Sequence, residues 1–152
     1  MNTLKVSGPD AEKFLQGQVT CNVNTLLEKK SQLCALCNRK GRVIASFNII
    51  KEKDYFLMVL AEDMVEVAFK ALDKYAKFSK TTLEIIKTNQ PNDILNNNIK
   101  IVTPETSGQF TPHKLNYHLI DGMIDFNKGC YTGQEIIARV HYLSKPKKKD
   151  EG

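Results

Sequence analysis

Lys128, Cys130, Gln134 and Glu135 place a cation, a thiol, an amide and a carboxylate within the eight residues from Lys128 to Glu135. Gly129 and Gly133 free the backbone between them to adopt conformations that other residues avoid. Ile136 to Val140 read as helical, so the octapeptide is a loop running into a helix start. Thr132 followed three residues on by Glu135 is a capping-box pattern, with Thr132 as N-cap. Cys130 then lies just upstream of a helix N-terminus, where unpaired N–H groups favour an anion, and two residues from a lysine. That setting favours a thiolate and makes Cys130 a candidate reactive or ligating cysteine. The same residues also suit a small buried cysteine beside an ordinary helix cap. Local chemistry leaves both readings open.

The elements that must position this loop follow from the rest of the pattern. Pro9 and Asp10 open a short helix to Gln16, closed by Gly17 and anchored by Phe14 and Leu15. Gln18 to Val23 continue as an irregular or extended segment, with Gln16, Gln18, Thr20 and Asn22 close together. Gln32–Cys37 and Arg42–Ile50 read as strands joined through Asn38-Arg39-Lys40-Gly41, which has hairpin turn chemistry. Tyr55–Leu60 is a third strand. From Glu62, an amphipathic helix repeats Met64, Val65, Ala68, Phe69, Leu72, Tyr75 and Ala76 at spacings of three and four. Thr81–Ile86 is a fourth strand and Ile99–Val102 a candidate short one. Between them runs an Asn-rich connection. Pro104 to Pro112 form a long loop of the kind that often carries function. Helices packed on a largely antiparallel sheet make an α+β layer.

A chain of 152 residues with 41% hydrophobic and 26% charged residues is long enough and apolar enough for a globular core. The net charge of +5 is concentrated partly in the tail, where Lys145, Lys147, Lys148 and Lys149 face Asp150 and Glu151. No basic stripe interleaved with aromatics stands out, so nucleic-acid binding is permitted rather than indicated. No apolar run is long enough to span a membrane, and the first residues lack the pattern of a signal or transit peptide. The cysteines at 21, 34, 37 and 130 do not resemble a disulfide framework and fit a reducing cytoplasm. Cys34 and Cys37, three apart on a strand, point to opposite faces and cannot converge on one metal. His113, His118 and His141 lie at no metal-like spacing and read as surface or core histidines.

Lys128-Gly129-Cys130-Tyr131-Thr132-Gly133-Gln134-Glu135 resembles the signature of the YgfZ family of folate-binding proteins, relatives of the aminomethyltransferase (T-protein) of the glycine cleavage system. Phe14 to Thr20, Cys37 to Gly41, Lys74 to Lys80, Ser107 to Pro112 and Glu135 to Tyr142 are similar to that family's other blocks, in the same order. The resemblance implies a GcvT/YgfZ-like folate-binding α+β fold and a tetrahydrofolate or one-carbon derivative as cofactor. It implies support of iron–sulfur client enzymes in their maturation or repair, including those that modify tRNA, and a cytoplasmic setting. Cys130 takes the role of the functional thiol. Gln16, Gln18 and Asn22 are candidates to line a pterin pocket, and Glu135 either accepts from a pterin edge or is consumed by the capping box. Lys40, Lys128 and Arg139 are candidates for the glutamate tail or for charge tuning, with Tyr131 and Gln134 as further cofactor contacts. Asn22 stands where the family often has Asp, which speaks against an acid–base role there. Family members carry a longer middle segment and a C-terminal barrel. The chain therefore reads as a short form, divided into 1–87, 88–143 with the signature, and a basic tail 144–152, with self-association as one way to complete the channel. The alternatives are a folate-dependent aminomethyl- or methyltransferase, and a non-catalytic RNA- or protein-binding module whose tail contacts tRNA.

Overall fold

The four strands expected at 32–37, 42–50, 55–60 and 81–86 form, the candidate at 99–102 does not, and one unexpected strand joins the sheet. In the computed structural model, which describes residues 2–88 and 99–144, β1 (Asn2–Ser7), β2 (Ser31–Cys37), β3 (Val43–Lys51), β4 (Tyr55–Val59) and β5 (Thr82–Lys87) form one antiparallel sheet. Its order is β2-β3-β4-β1-β5. The added strand is β1, which lies between β4 and β5 with Leu4 opposite both Met58 and Ile85. Its alternation is short, but Leu4 and Val6 are fully buried, and the Thr3 hydroxyl reaches that of Thr88 at 2.9 Å. Two neighbours with apolar pairs decide a strand that its own six residues barely announce.

Along β3, Val43, Ala45, Phe47 and Ile49 are buried on one side of the pleat, and Ser46 and Asn48 on the other. Both faces of this strand are therefore covered. The amphipathic helix α2 (Val65–Ala76) follows a 3₁₀ turn at Glu62–Met64 and packs on β1, β3 and β5. It buries Val65, Ala68, Leu72 and Ala76, the spacing that the sequence predicts. The short helix α1 (Ala11–Gln16) buries Phe14 and Leu15 and ends at Gly17, whose N–H returns to the Phe14 carbonyl. Pro9 lies in the turn before it. Asp10 caps no backbone of its own helix and instead accepts the Lys80 N–H at 2.9 Å, tying α1 to the turn after α2.

Ile99–Val102 does not pair as a strand. Its carbonyls serve side chains instead: fully buried Tyr117 donates to the Lys100 carbonyl and shares a hydrogen bond with Ser46 on β3. Burial pushes this phenol up to about 12, so it stays a protonated strut at any physiological pH. The loop with two prolines is structured against β3. Val43 N–H donates to Phe110 O and accepts back from Gly108 N–H through its own carbonyl, both at 2.7 Å. The Ser107 hydroxyl donates to Ile44 O at 2.6 Å. A third helix, α3 (Gln134–Ser144), carries the residues after the octapeptide. The Asn-rich connection and the basic tail fall outside the described residues. Among the described residues, no helix is long and apolar enough to cross a membrane.

Candidate functional site

The octapeptide is seated on the segment that follows α1. Val19 bridges to Leu36, so residues 19–21 lie alongside β2. Thr20, fully buried, donates to Met123 O at 2.7 Å and accepts from Ala35 N–H at 3.1 Å. Its carbonyl takes the Asp125 N–H at 2.9 Å, which brings the approach to the octapeptide against the same segment. Lys128 then extends its ammonium to the carbonyls of Val19 and Cys21, both at 2.7 Å, and lies 4.8 Å from the Tyr131 ring centre. Burial lowers the Lys128 pKa, while Cys34, Cys21 and Asp125 nearby favour its charged form. The Thr132 N–H donates to Gly17 O at 3.1 Å and its hydroxyl to Gln18 Oε1 at 3.4 Å.

The predicted capping box does not form. Ile137 N–H returns to Gly133 O, which makes Gly133 the residue that opens the helix, and Thr132 is used on Gln18 instead. Gly133 holds a left-handed φ of +83° because it meets the hairpin turn: a Cβ there would lie 2.5 Å from the Asn38 carbonyl oxygen. Gly41 answers from the other side with φ +73° and no room for a Cβ beside Ile136. Asn38 Oδ1 shapes this turn by accepting from the N–H groups of Lys40 and Arg42.

The three buried cysteines separate as the strand geometry requires. The Cys34 sulfur accepts the Cys21 N–H at 3.3 Å, in register with the Val19–Leu36 bridge, whereas Cys37 lies elsewhere in the core. Burial raises the Cys37 thiol above its ordinary range. For Cys34, burial opposes the thiolate, but the Cys21 thiol and N–H, Lys128 and Thr20 together lower its pKa. Cys21 moves up as the partner that donates. Cys130 is different from all three: it is exposed.

The expected site residues distribute over three concavities. Gln18 and Lys40 line a cavity of about 580 Å³ together with Thr132, Leu36, Ile44 and Tyr75. Arg39, Arg42 and Lys74 join Lys40 on its wall, and no carboxylate among the described residues lines it. No carboxylate among the described residues forms an ion pair with any of these four cations. Tyr131, Gln134 and Glu135 line a smaller hollow of about 240 Å³ that Arg39 also borders. Asn22 borders a third, of about 350 Å³, with Asp125 and Phe126. Gln16 stays inside the fold, donating to Asn22 Oδ1 at 3.0 Å and accepting from Val23 N–H at 2.7 Å. Asn22 also accepts from Asn24 N–H. Arg139 and Cys130 are exposed and line none of the three. Gln16, Gln18 and Asn22 thus share a segment but not a cavity, and Lys128 is engaged with backbone carbonyls.

The histidines are gathered, which no spacing in the sequence signals. His113 stacks on His118 at 4.2 Å between ring centres, and its Nε2 lies 3.0 Å from His141 Nδ1. His141 stacks on Phe126 at 3.7 Å. His113 and His141 are tilted by 50° to each other, and no group of three or more His, Cys, Asp or Glu among the described residues could hold a metal ion. Burial, with His118 and His141 adjacent, pulls the His113 pKa down to about 4. The folded state thus refuses a proton that the unfolded chain accepts near the ordinary value of about 6.5. Stability from this cluster is full above that value and falls as pH drops from about 6.5 towards 4. Urea midpoints measured across this window should decline, and His113→Asn should flatten the decline. An unchanged slope in the variant would assign the acid sensitivity to other groups.

No family model matches the chain. Curated proteins do. A protein named tRNA-modifying protein YgfZ from Colwellia psychrerythraea is 26% identical over 95% of this chain and 66% of its own length. The protein of the same name from Klebsiella pneumoniae is 25% identical over 90% of this chain and 64% of its own. The chain is similar to these YgfZ proteins. An uncharacterized protein of Haemophilus influenzae is 28% identical over 91% of the chain and 65% of its own length. The chain thus spans about two thirds of the length of these three relatives. Among solved structures, the glycine cleavage system aminomethyltransferase T of Bartonella henselae matches 56% of this chain and 24% of its own, with a TM-score of 0.53 and 19% identity. The α+β fold of the chain is therefore that of the GcvT-type aminomethyltransferases over the shared region.

Proposed function

We propose that the chain binds a tetrahydrofolate-type one-carbon carrier and supports tRNA modification through iron–sulfur client enzymes. The observation that carries this reading is the 580 Å³ cavity between the hairpin turn, α2 and the seated octapeptide. Its size falls within the range of small-molecule sites, about 300–1,000 Å³. Its walls divide by chemistry: Leu36, Ile44, Ala71 and Tyr75 offer apolar and aromatic surface, Gln18, Asn38 and Thr132 offer hydrogen bonds, and Arg39, Lys40, Arg42 and Lys74 offer charge. A flat heterocycle ending in carboxylates suits that division. Gln18 and Thr132 would hold the polar ring edge and Tyr75 its face, while the cations hold the tail. When bound, such a carrier supplies a one-carbon unit. Cys130, exposed at the octapeptide, is free to meet an electrophile or a client protein. The names of the YgfZ relatives support the tRNA-related part of this reading. A transferase reading gains less, because Asn22 offers no acid and its amide is engaged by Gln16 and Asn24.

Calorimetric titration with tetrahydrofolate should show saturable binding that weakens about tenfold or more in Lys40→Glu/Lys74→Glu. Cys130→Ala should bind equally well yet fail to rescue tRNA modification in cells lacking the YgfZ protein. Absence of binding at millimolar ligand removes the cofactor from the proposal, and full rescue by Cys130→Ala removes the thiol.

A further inference from the structure

Contrary to the expectation that no basic stripe interleaved with aromatics stands out, Lys74-Tyr75-Ala76-Lys77-Phe78-Ser79-Lys80 runs off the end of α2 with a lysine at every third position and an aromatic ring between successive lysines. Phe78 is 83% exposed, more than any other large hydrophobic residue among those described. Its position is fixed by the backbone: its N–H donates to Tyr75 O at 3.1 Å, and the next N–H, of Ser79, donates to Ala76 O at 3.0 Å. Beyond it, Lys80 is held through its N–H by Asp10. An exposed phenyl ring on an ordered turn gains nothing for the fold.

Lysines near a helix C-terminus complement the helix dipole, and α2 indeed opens with Glu62, Asp63 and Glu66. The dipole does not account for the rest of the surface. Arg39, Lys40 and Arg42 come from the hairpin turn, far away in sequence, and meet Lys74 and Tyr75 across the cavity wall. Lys74 lies 5.5 Å from the Tyr75 ring centre. The stretch itself holds no acidic residue, and Asp73 immediately precedes it. Cations from two elements beside a partly exposed tyrosine and an exposed phenylalanine form a charged track with rings on which bases can stack. A membrane surface would call for several apolar side chains together, and within residues 74–80 Phe78 alone is an exposed large hydrophobic. An acidic peptide would use the charge but not the ring.

We propose that Lys74, Lys77, Lys80 and Phe78 form a contact surface for single-stranded RNA, with the hairpin cations Arg39, Lys40 and Arg42 continuing its phosphate track. Phe78 stacks on a base, and the lysines meet the flanking phosphates. The proposal does not depend on folate being the ligand of the cavity.

Fluorescence anisotropy of the full chain with a labelled oligouridylate of about twelve nucleotides tests this, a length within the site sizes of single-strand binders. Binding should be saturable and salt-sensitive. Three phosphate contacts predict a slope of log affinity on log salt of about −2. Phe78→Ala should weaken binding about tenfold at unchanged salt slope, and Lys77→Glu/Lys80→Glu should flatten the slope. Phe78 is so exposed that its replacement leaves the core intact, which the circular dichroism melting curve verifies. Absence of binding at low salt overturns the proposal. So does binding indifferent to both variants, or a preference for phosphatidylserine vesicles over RNA. Tetrahydrofolate affinity that survives Phe78→Ala separates this result from the fate of the folate reading.

Discussion

Gly133→Ala should unfold this protein in appreciably less urea, whereas Gly129→Ala, four residues earlier in the same octapeptide, should hardly matter. The two glycines look alike in sequence and differ in surroundings. At Gly129 an added Cβ meets nothing within 4 Å. At Gly133 it would lie 2.5 Å from the Asn38 carbonyl oxygen and 3.1 Å from the Gly41 Cα, and both are backbone atoms that cannot swing aside as a side chain would. The φ of +83° adds strain for any residue with a Cβ. Relief requires the octapeptide and the hairpin turn to move apart, which also opens the contact between Gly41 and Ile136. A loss of roughly 3 kcal/mol or more is expected at position 133, against about 0.5 kcal/mol or less at position 129. Equal midpoints for the two variants would show that the octapeptide is not packed on the hairpin as described.

Lys128→Met should cost about 2–4 kcal/mol, on the scale of one or two lost charge-assisted hydrogen bonds. Methionine keeps most of the stem but donates nothing to the carbonyls of Val19 and Cys21, two fully buried residues that each receive the ammonium at 2.7 Å. Unmatched buried carbonyls are costly, and the cheapest remedy is for the 19–21 segment to loosen so that water can reach them. Cys21 should then react faster with a thiol reagent in Lys128→Met than in the native chain, where its exposure is zero. Such a result makes Lys128 the pin of the site rather than a contact for a ligand's carboxylates. Native stability combined with a specific loss of anion binding would reverse that assignment.

The sequence made some of these features legible and hid others for identifiable reasons. The stripe on α2 was readable because a single helix face decides it, and Asn38 with Gly41 announced their turn through local backbone chemistry. β1 was not evident, since its six residues become a strand through β4 and β5, both of which follow it. Ile99–Val102 has strand-like residues but no strand to pair with, and Tyr117 takes up a carbonyl there. The capping box failed because Gln18, far upstream, competes for the Thr132 hydroxyl. His113, His118 and His141 meet only once α3 lies back on the loop before it. Gln18 and Lys40 line one cavity, and Arg39, Arg42 and Lys74 line it with them although absent from the expected set. Charge clustering on the hairpin turn was the available signal for two of these.

The polar bonds that seat the octapeptide and its approach join residues 103 to 114 positions apart. Closing so long a loop adds little to its cost in equilibrium, since each doubling of length contributes only about 0.6 kcal/mol. Its effect is on timing. During synthesis, at about 5–20 residues per second, every strand of the sheet has been made several seconds before Lys128 is. In that interval the carbonyls of Val19 and Cys21 await their cation, and Thr20 its partner at Met123. A nascent chain halted in this window already possesses all the strands of its sheet and only one side of its site.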